Sequence, residues 1–124
     1  MFASLAPIEP DSRAEAASDS ILARVDAIAT VLDMLGRWTG RSGTTLSVSL
    51  DQRASFSARL AASDAIGKAR LAIELDAVSA ALQTGFAALD QARRKGHRAA
   101  AAAALLHREA TEGLTAILDP HQVR

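Results

Sequence analysis

Between Ser49 and Lys95 the chain runs without a proline, and apolar residues recur at helical spacing along most of that run. No other feature narrows the fold as much. Leu71, Leu75, Val78, Leu82, Phe86 and Leu89 follow one another at three- and four-residue steps, one stripe on a 3.6-residue helix. Ile66, Ala69 and Ile73 read as a parallel row that widens the stripe. Both ends of the run are marked. Ser49 followed by Gln52 is a capping box, in which each side chain satisfies a backbone N–H at the helix start, and Asp51 adds a negative charge near the positive end of the helix dipole. At the other end Arg93, Arg94 and Lys95 fall in the last turn, and Gly96 is suited to the left-handed conformation just past it. An unbroken helix would be roughly 70 Å long, about four times the ordinary length. Ser63-Asp64 and Gly67 are its weak points, since Ser63 is able to cap a second helix. The expectation adopted is one long helix, kinked there.

Two further helices are expected. Ile21, Val25, Ile28, Leu32 and Leu35 step by four, three, four and three, a heptad-like seam widened by Leu22, Val31 and Trp38. Ser18, Asp19 or Ser20 caps this helix, Asp33 and Arg37 are spaced for an i,i+4 pair, and Gly40 ends it. The other runs from about His97 to Leu118, opening in the six alanines 99–104 and stopping at Asp119-Pro120, because a residue before proline is pushed out of the α region. Residues 1–18, with Pro7 and Pro10 as breakers, read as a flexible N-terminal tail, and 119–124 as a C-terminal one. In Arg41–Ser49 the residues Leu46, Val48 and Leu50 alternate with Thr45, Ser47 and Ser49 at strand period. With no second strand to pair with, this segment is read as an extended connector, the alternative being a strand over Thr44–Leu50 paired with its twin in a dimer.

Composition enters where it bears on the core. The chain has 124 residues, enough for one domain with an ordinary core, yet 29 are alanine and only four are aromatic. Alanine favours helix and buries little area per residue, so the core is expected to be thin and to need a partner. There is no cysteine, which excludes disulfides and thiolate chemistry. Fourteen basic side chains balance fourteen acidic ones, against a globally nucleic-acid-like protein. No run reaches transmembrane length and no secretory signal is visible, so a cytoplasmic location is expected.

Residues able to carry catalysis are scattered. His97, His107 and His121 stand apart, with no His-x3-His or Glu-x2-His pair to hold a metal. Glu74 and Asp76, two apart on a helix, point to different sides. No enzymatic activity, cofactor or metal is expected. Arg93, Arg94, Lys95, His97 and Arg98 form a basic cluster. It either contacts an anion such as a phosphate or a lipid head group, or offsets the negative end of the helix dipole.

Three resemblances bear on function, two local and one of composition. Thr45 to Gln52, followed by a helix with Phe56 and Leu60, resembles the strand-then-helix opening of ribbon-helix-helix repressors. That resemblance implies a dimeric DNA-binding protein in which Thr45, Ser47 and Ser49 face the bases, although the strand lacks Arg, Lys or Asn for bidentate base contacts. His107-Arg108-Glu109 with Leu114-Thr115-Ala116-Ile117 is loosely similar to the phospho-acceptor box of histidine kinases, but Arg108 stands where that box has an acidic residue. In composition alone, the alanine-rich, cysteine-free helices resemble the phasins that coat storage granules.

The sequence therefore reads as an all-α protein: a three-helix up-down-up bundle, helices at about 19–39, 50–95 and 97–118, around one long coiled-coil-like central helix, and oligomeric. The expected function is a non-enzymatic protein-protein interaction module (an adaptor, chaperone or assembly subunit) whose partner is itself or another helical protein. The interface candidates are Val25, Ile28, Leu32, Leu35, Trp38, Leu75, Val78, Leu82 and Leu89, with internal core as the competing reading for each. Arg93, Arg94, Lys95 and Arg98 are the candidates for anion contact.

Overall fold

The computed structural model describes residues 10–39 and 47–120. They form four helices, α1 (Pro10–Trp38), α2 (Leu50–Ala62), α3 (Ala65–Arg94) and α4 (Ala100–Leu118), with no strand among the described residues. The fold is all-helical, as expected, but the three expected helices are four.

The first correction lies at the start. Helix α1 begins at Pro10, so residues 10–18 are helix rather than tail, while residues 1–9 lie outside the described residues. Proline breaks a helix only where its missing N–H is needed. In the first turn that N–H would have no partner anyway, and the ring already holds φ near the helical value. At the other end Thr39 closes the helix: its N–H donates to the carbonyls of Leu35 (3.1 Å) and Gly36 (3.2 Å), and its hydroxyl donates to Gly36 O (2.7 Å).

The second correction is the long central helix, which breaks at Ser63-Asp64. Both residues are extended (φ −86°, ψ 147° and φ −80°, ψ 179°). Ending one helix and starting another strands backbone carbonyls and N–H groups, and here two short polar side chains take some of them up. The Ser63 hydroxyl donates to Arg59 O (2.8 Å), and Asp64 Oδ1 accepts from the Gly67 N–H (2.7 Å). The break lets α2 lie across its neighbours and bury Phe56 and Leu60 instead of running on into solvent.

The other boundaries follow local chemistry. The capping box forms at the start of α2, with Ser49 Oγ accepting from the Gln52 N–H (3.0 Å) and Gln52 Oε1 accepting from the Ser49 N–H (2.9 Å). Gly96 has φ +83°, its N–H donates to Arg93 O, and the His97 N–H donates to Ala92 O, both at 3.0 Å. That pair of backward bonds is a Schellman motif. It directs the His97 N–H back to α3, which is why α4 starts at Ala100 and not at 97. Helix α4 ends at Leu118, before Asp119-Pro120, as expected.

Contacts between helices give their directions. Arg24 pairs with Asp76 and, further along both helices, the Trp38 ring meets Phe86, so α1 and α3 run parallel. Gly85 faces Leu106 while Gly113 faces Val78, so α4 returns antiparallel to α3. Ser47 donates to Asp33 and Arg53 to Asp26, which makes α2 antiparallel to α1. The short α2 supplies a reversal that the expected up-down-up order lacked, and α1, α3 and α4 pack on one another with α2 against α1 and α4. The core holds Ile21, Val25, Ile28, Leu32 and Leu35 from α1, Phe56 and Leu60 from α2, Leu75, Leu82 and Leu89 from α3, and Leu114 and Leu118 from α4. Small residues set the spacing: a Cβ on Gly85 would come within 2.7 Å of both Leu106 methyls, and Ala103 is buried at 1% exposure.

Side chains of α2 tie the bundle together at the surface. Arg53 grips Asp26 with two nitrogens (2.9 and 3.0 Å), and that hydrogen bonding, followed by the carboxylate's charge, raises the arginine's pKa above its already high usual value. The Arg59 guanidinium lies 5.1 Å from the Phe56 ring centre and donates to the carbonyls of Ile117 and Leu118, supplying partners for the open end of α4. Gln52 donates to Asp119 Oδ2 (3.0 Å), so Asp119 is anchored to the domain. Residues 121–124 lie outside the described residues.

Candidate functional site

The interface candidates from the sequence fall into two groups. Val25, Ile28, Leu32, Leu35, Leu75, Leu82 and Leu89 are all buried, each at 6% exposure or less. Their contacts in this arrangement are to the chain's own helices. Val78 and Trp38 are half-buried at the margin of the same core. Trp38 has the Phe86 ring at 4.7 Å between centroids and the Arg93 guanidinium 3.9 Å from its own ring centre. A cation over an indole face is attracted by the ring quadrupole, so Arg93 is engaged inside the chain.

The rest of the basic cluster gathers at the end of the bundle where α3 stops and α4 starts. Arg94 pairs with Asp90 one turn back at 3.0 Å, and Lys95, His97 and Arg98 are exposed. Trp38, Arg93, His97 and three alanines of the α4 start line a depression of about 200 Å³ there. Helices α1 and α3 both end at this side of the molecule and α4 starts there, so the cations lie near two negative helix ends and one positive one.

The readings based on His107 and on the connector meet specific obstacles. His107 is buried at 8% exposure, with its imidazole against Gly36 of α1. Thr45 lies in 40–46, outside the described residues. The other two proposed base-facing residues are occupied within the chain. Ser47 donates from both its N–H (3.0 Å) and its hydroxyl (2.7 Å) to Asp33 Oδ1, and Ser49 is the N-cap of α2. Residues 47–49 are a connector, without strand structure.

Among the described residues no group of three His, Cys, Asp or Glu side chains is arranged to hold a metal ion. No helix among the described residues is long and apolar enough to cross a membrane. One buried polar atom stands out: Thr111 Oγ1 has no hydrogen-bond partner among the described residues. It borders a groove of about 500 Å³ along α4, lined by Leu105, His107, Arg108, Glu112 and two alanines.

The feature that the sequence reading misplaced is the outer face of α3. Ile66 and Ile73 were expected to widen the core stripe, yet they are 72% and 70% exposed. Ile73 lies two positions before the fully buried Leu75, and two positions are about 200° around a helix. It therefore projects from the far side. Ala69, Ala77, Ala80 and Thr84 share that side and are exposed with it. The outer face of the parallel helix α1, in contrast, carries Glu15, Asp19, Asp26 and Arg37. The roughly 200° between positions 73 and 75 is already present in the sequence. No protein-family model, curated protein or solved structure matches the chain.

Proposed function

We propose that this chain is a non-enzymatic helical interaction module, of the adaptor, chaperone or assembly-subunit kind, that docks another helical surface and associates with copies of itself. The observation that supports this reading is the outer face of α3, where two isoleucines one heptad apart stand in solvent on an otherwise small and uncharged stripe. A helix on the surface of a monomeric domain ordinarily turns charged or polar residues outward, and contiguous exposed apolar area marks sites of contact with another molecule. The leucine seam does not support it in the same way, because its contacts are already made inside the chain.

Sedimentation velocity over a wide concentration range tests the reading, since it returns mass and shape together. The reading predicts that the sedimentation coefficient rises with concentration towards that of a dimer or larger species. A single monomeric species at every concentration would remove self-association from the proposal.

A further inference from the structure

We infer that the outer face of α3 is a self-docking surface, on which a second copy of this chain lies antiparallel with its own α3. This rests on the interaction-module reading above and names the surface and the partner. Ile66, Ala69, Ile73, Ala77, Ala80 and Thr84 lie within about 40° of one line along the helix at 100° per residue, and all six are exposed. They extend roughly 27 Å at 1.5 Å per residue. The pattern alternates two large knobs with alanines, whose missing bulk leaves holes for knobs from a facing helix and lets two backbones approach closely.

The charges on the flank choose the occupant. Arg70 and Glu74 stand on the same side of the stripe, one turn apart, and both are exposed. Neither makes an ion pair among the described residues. The acid on the opposite flank, Asp76, is already held by Arg24 at 2.9 Å. A two-fold axis passing between positions 70 and 74 sets Arg70 of each copy beside Glu74 of the other. The contact is then isologous, with the same patch used twice and both charge pairs made by symmetry. In that register Ile66 of one copy falls near the alanines at 77 and 80 of the other, and the two Ile73 side chains meet close to the axis. The face is self-complementary in shape and in charge. One helix-on-helix contact over residues 65–79 buries less than the roughly 800 Å² per partner of a standard stable interface. The dimer is therefore a weak one, set by concentration.

The test is sedimentation equilibrium of the full chain from about 10 µM to about 1 mM, a range that spans weak affinities, on wild type and four variants. Circular dichroism melts at low concentration confirm that each variant folds, which the exposure of these positions predicts. Ile73→Asp is expected to weaken the dimer at least tenfold. Arg70→Glu and Glu74→Arg each place like charges across the axis and are expected to weaken it severalfold, and the double variant Arg70→Glu/Glu74→Arg to return it to within about threefold of wild type. A dimer indifferent to Ile73→Asp would overturn this surface while leaving a self-associating module in place. A double variant no better than its single parents would overturn the antiparallel register. A chain monomeric throughout would overturn both the inference and self-association, and a drop in the low-concentration melting temperature of Ile73→Asp would show instead that the chain's own residues cover the face.

Discussion

Helix α3 has two apolar faces with opposite fates. On the inner one Leu75, Leu82 and Leu89 are sealed against α1 and α4 at 0%, 2% and 6% exposure; on the outer one Ile66 and Ile73 stand in water at 72% and 70%. A fully buried leucine contributes about 2 kcal/mol through the apolar area it removes from water. An exposed isoleucine contributes almost nothing of that kind. It is also a poorer helix former than the alanines around it, because its branched Cβ loses side-chain freedom against the preceding turn. The inner face explains why the helix folds where it does. The outer face has no such explanation within one chain, and that difference is what the proposed contact with another molecule rests on.

Substitutions on the two faces should differ in their effects. The largest effect is expected on the inner face: Leu82→Ala should destabilise the fold by about 2–5 kcal/mol, through lost transfer free energy and a cavity left in the core, as read by urea denaturation. A loss under about 1 kcal/mol would mean that the inner face is not the core. Next comes the start of the helix. Asp64→Ala removes the acceptor for the Gly67 N–H and should cost about 1 kcal/mol, with Asp64→Asn recovering most of it. A similar gain of about 1 kcal/mol is expected for Thr111→Val, since it removes the buried hydroxyl that lacks a partner. The smallest effect belongs to the outer face. Ile73→Ala should change stability by no more than about 0.5 kcal/mol in dilute solution, and a penalty comparable to that of Leu82→Ala would erase the distinction between the two faces.

Much of this architecture was legible from side-chain chemistry near each helix end. The Ser49–Gln52 capping box, the left-handed Gly96 and the stop before Pro120 are local, and each appears as the residues imply. The seam Ile21–Leu35 was legible too, because its period is unambiguous. The rest was harder or was missed. Pro10 starts α1 instead of stopping it, since proline's effect depends on which turn it occupies, and sequence alone does not say where the helix begins. Ser63-Asp64 was recognised as a weak point, but whether a helix breaks there depends on what Phe56 and Leu60 gain by turning inward, a tertiary contact. The orientation of Ile66 and Ile73 was legible and was misread: grouping them with Leu75 and Leu82 ignored the 200° between positions 73 and 75. The direction of α1 relative to α3 was not legible, because it follows from the reversal supplied by α2.

The most direct test of the two-faced α3 is the melting temperature of wild type and of Ile73→Asp measured over a hundredfold range of protein concentration. Association of folded chains raises the apparent stability by mass action. The wild-type melting temperature is expected to climb with concentration, the Ile73→Asp value to stay flat, and the two to coincide at the dilute end. A variant that melts well below wild type in dilute solution would put Ile73 in the core, and two flat lines would leave the outer face of α3 without a partner of its own kind.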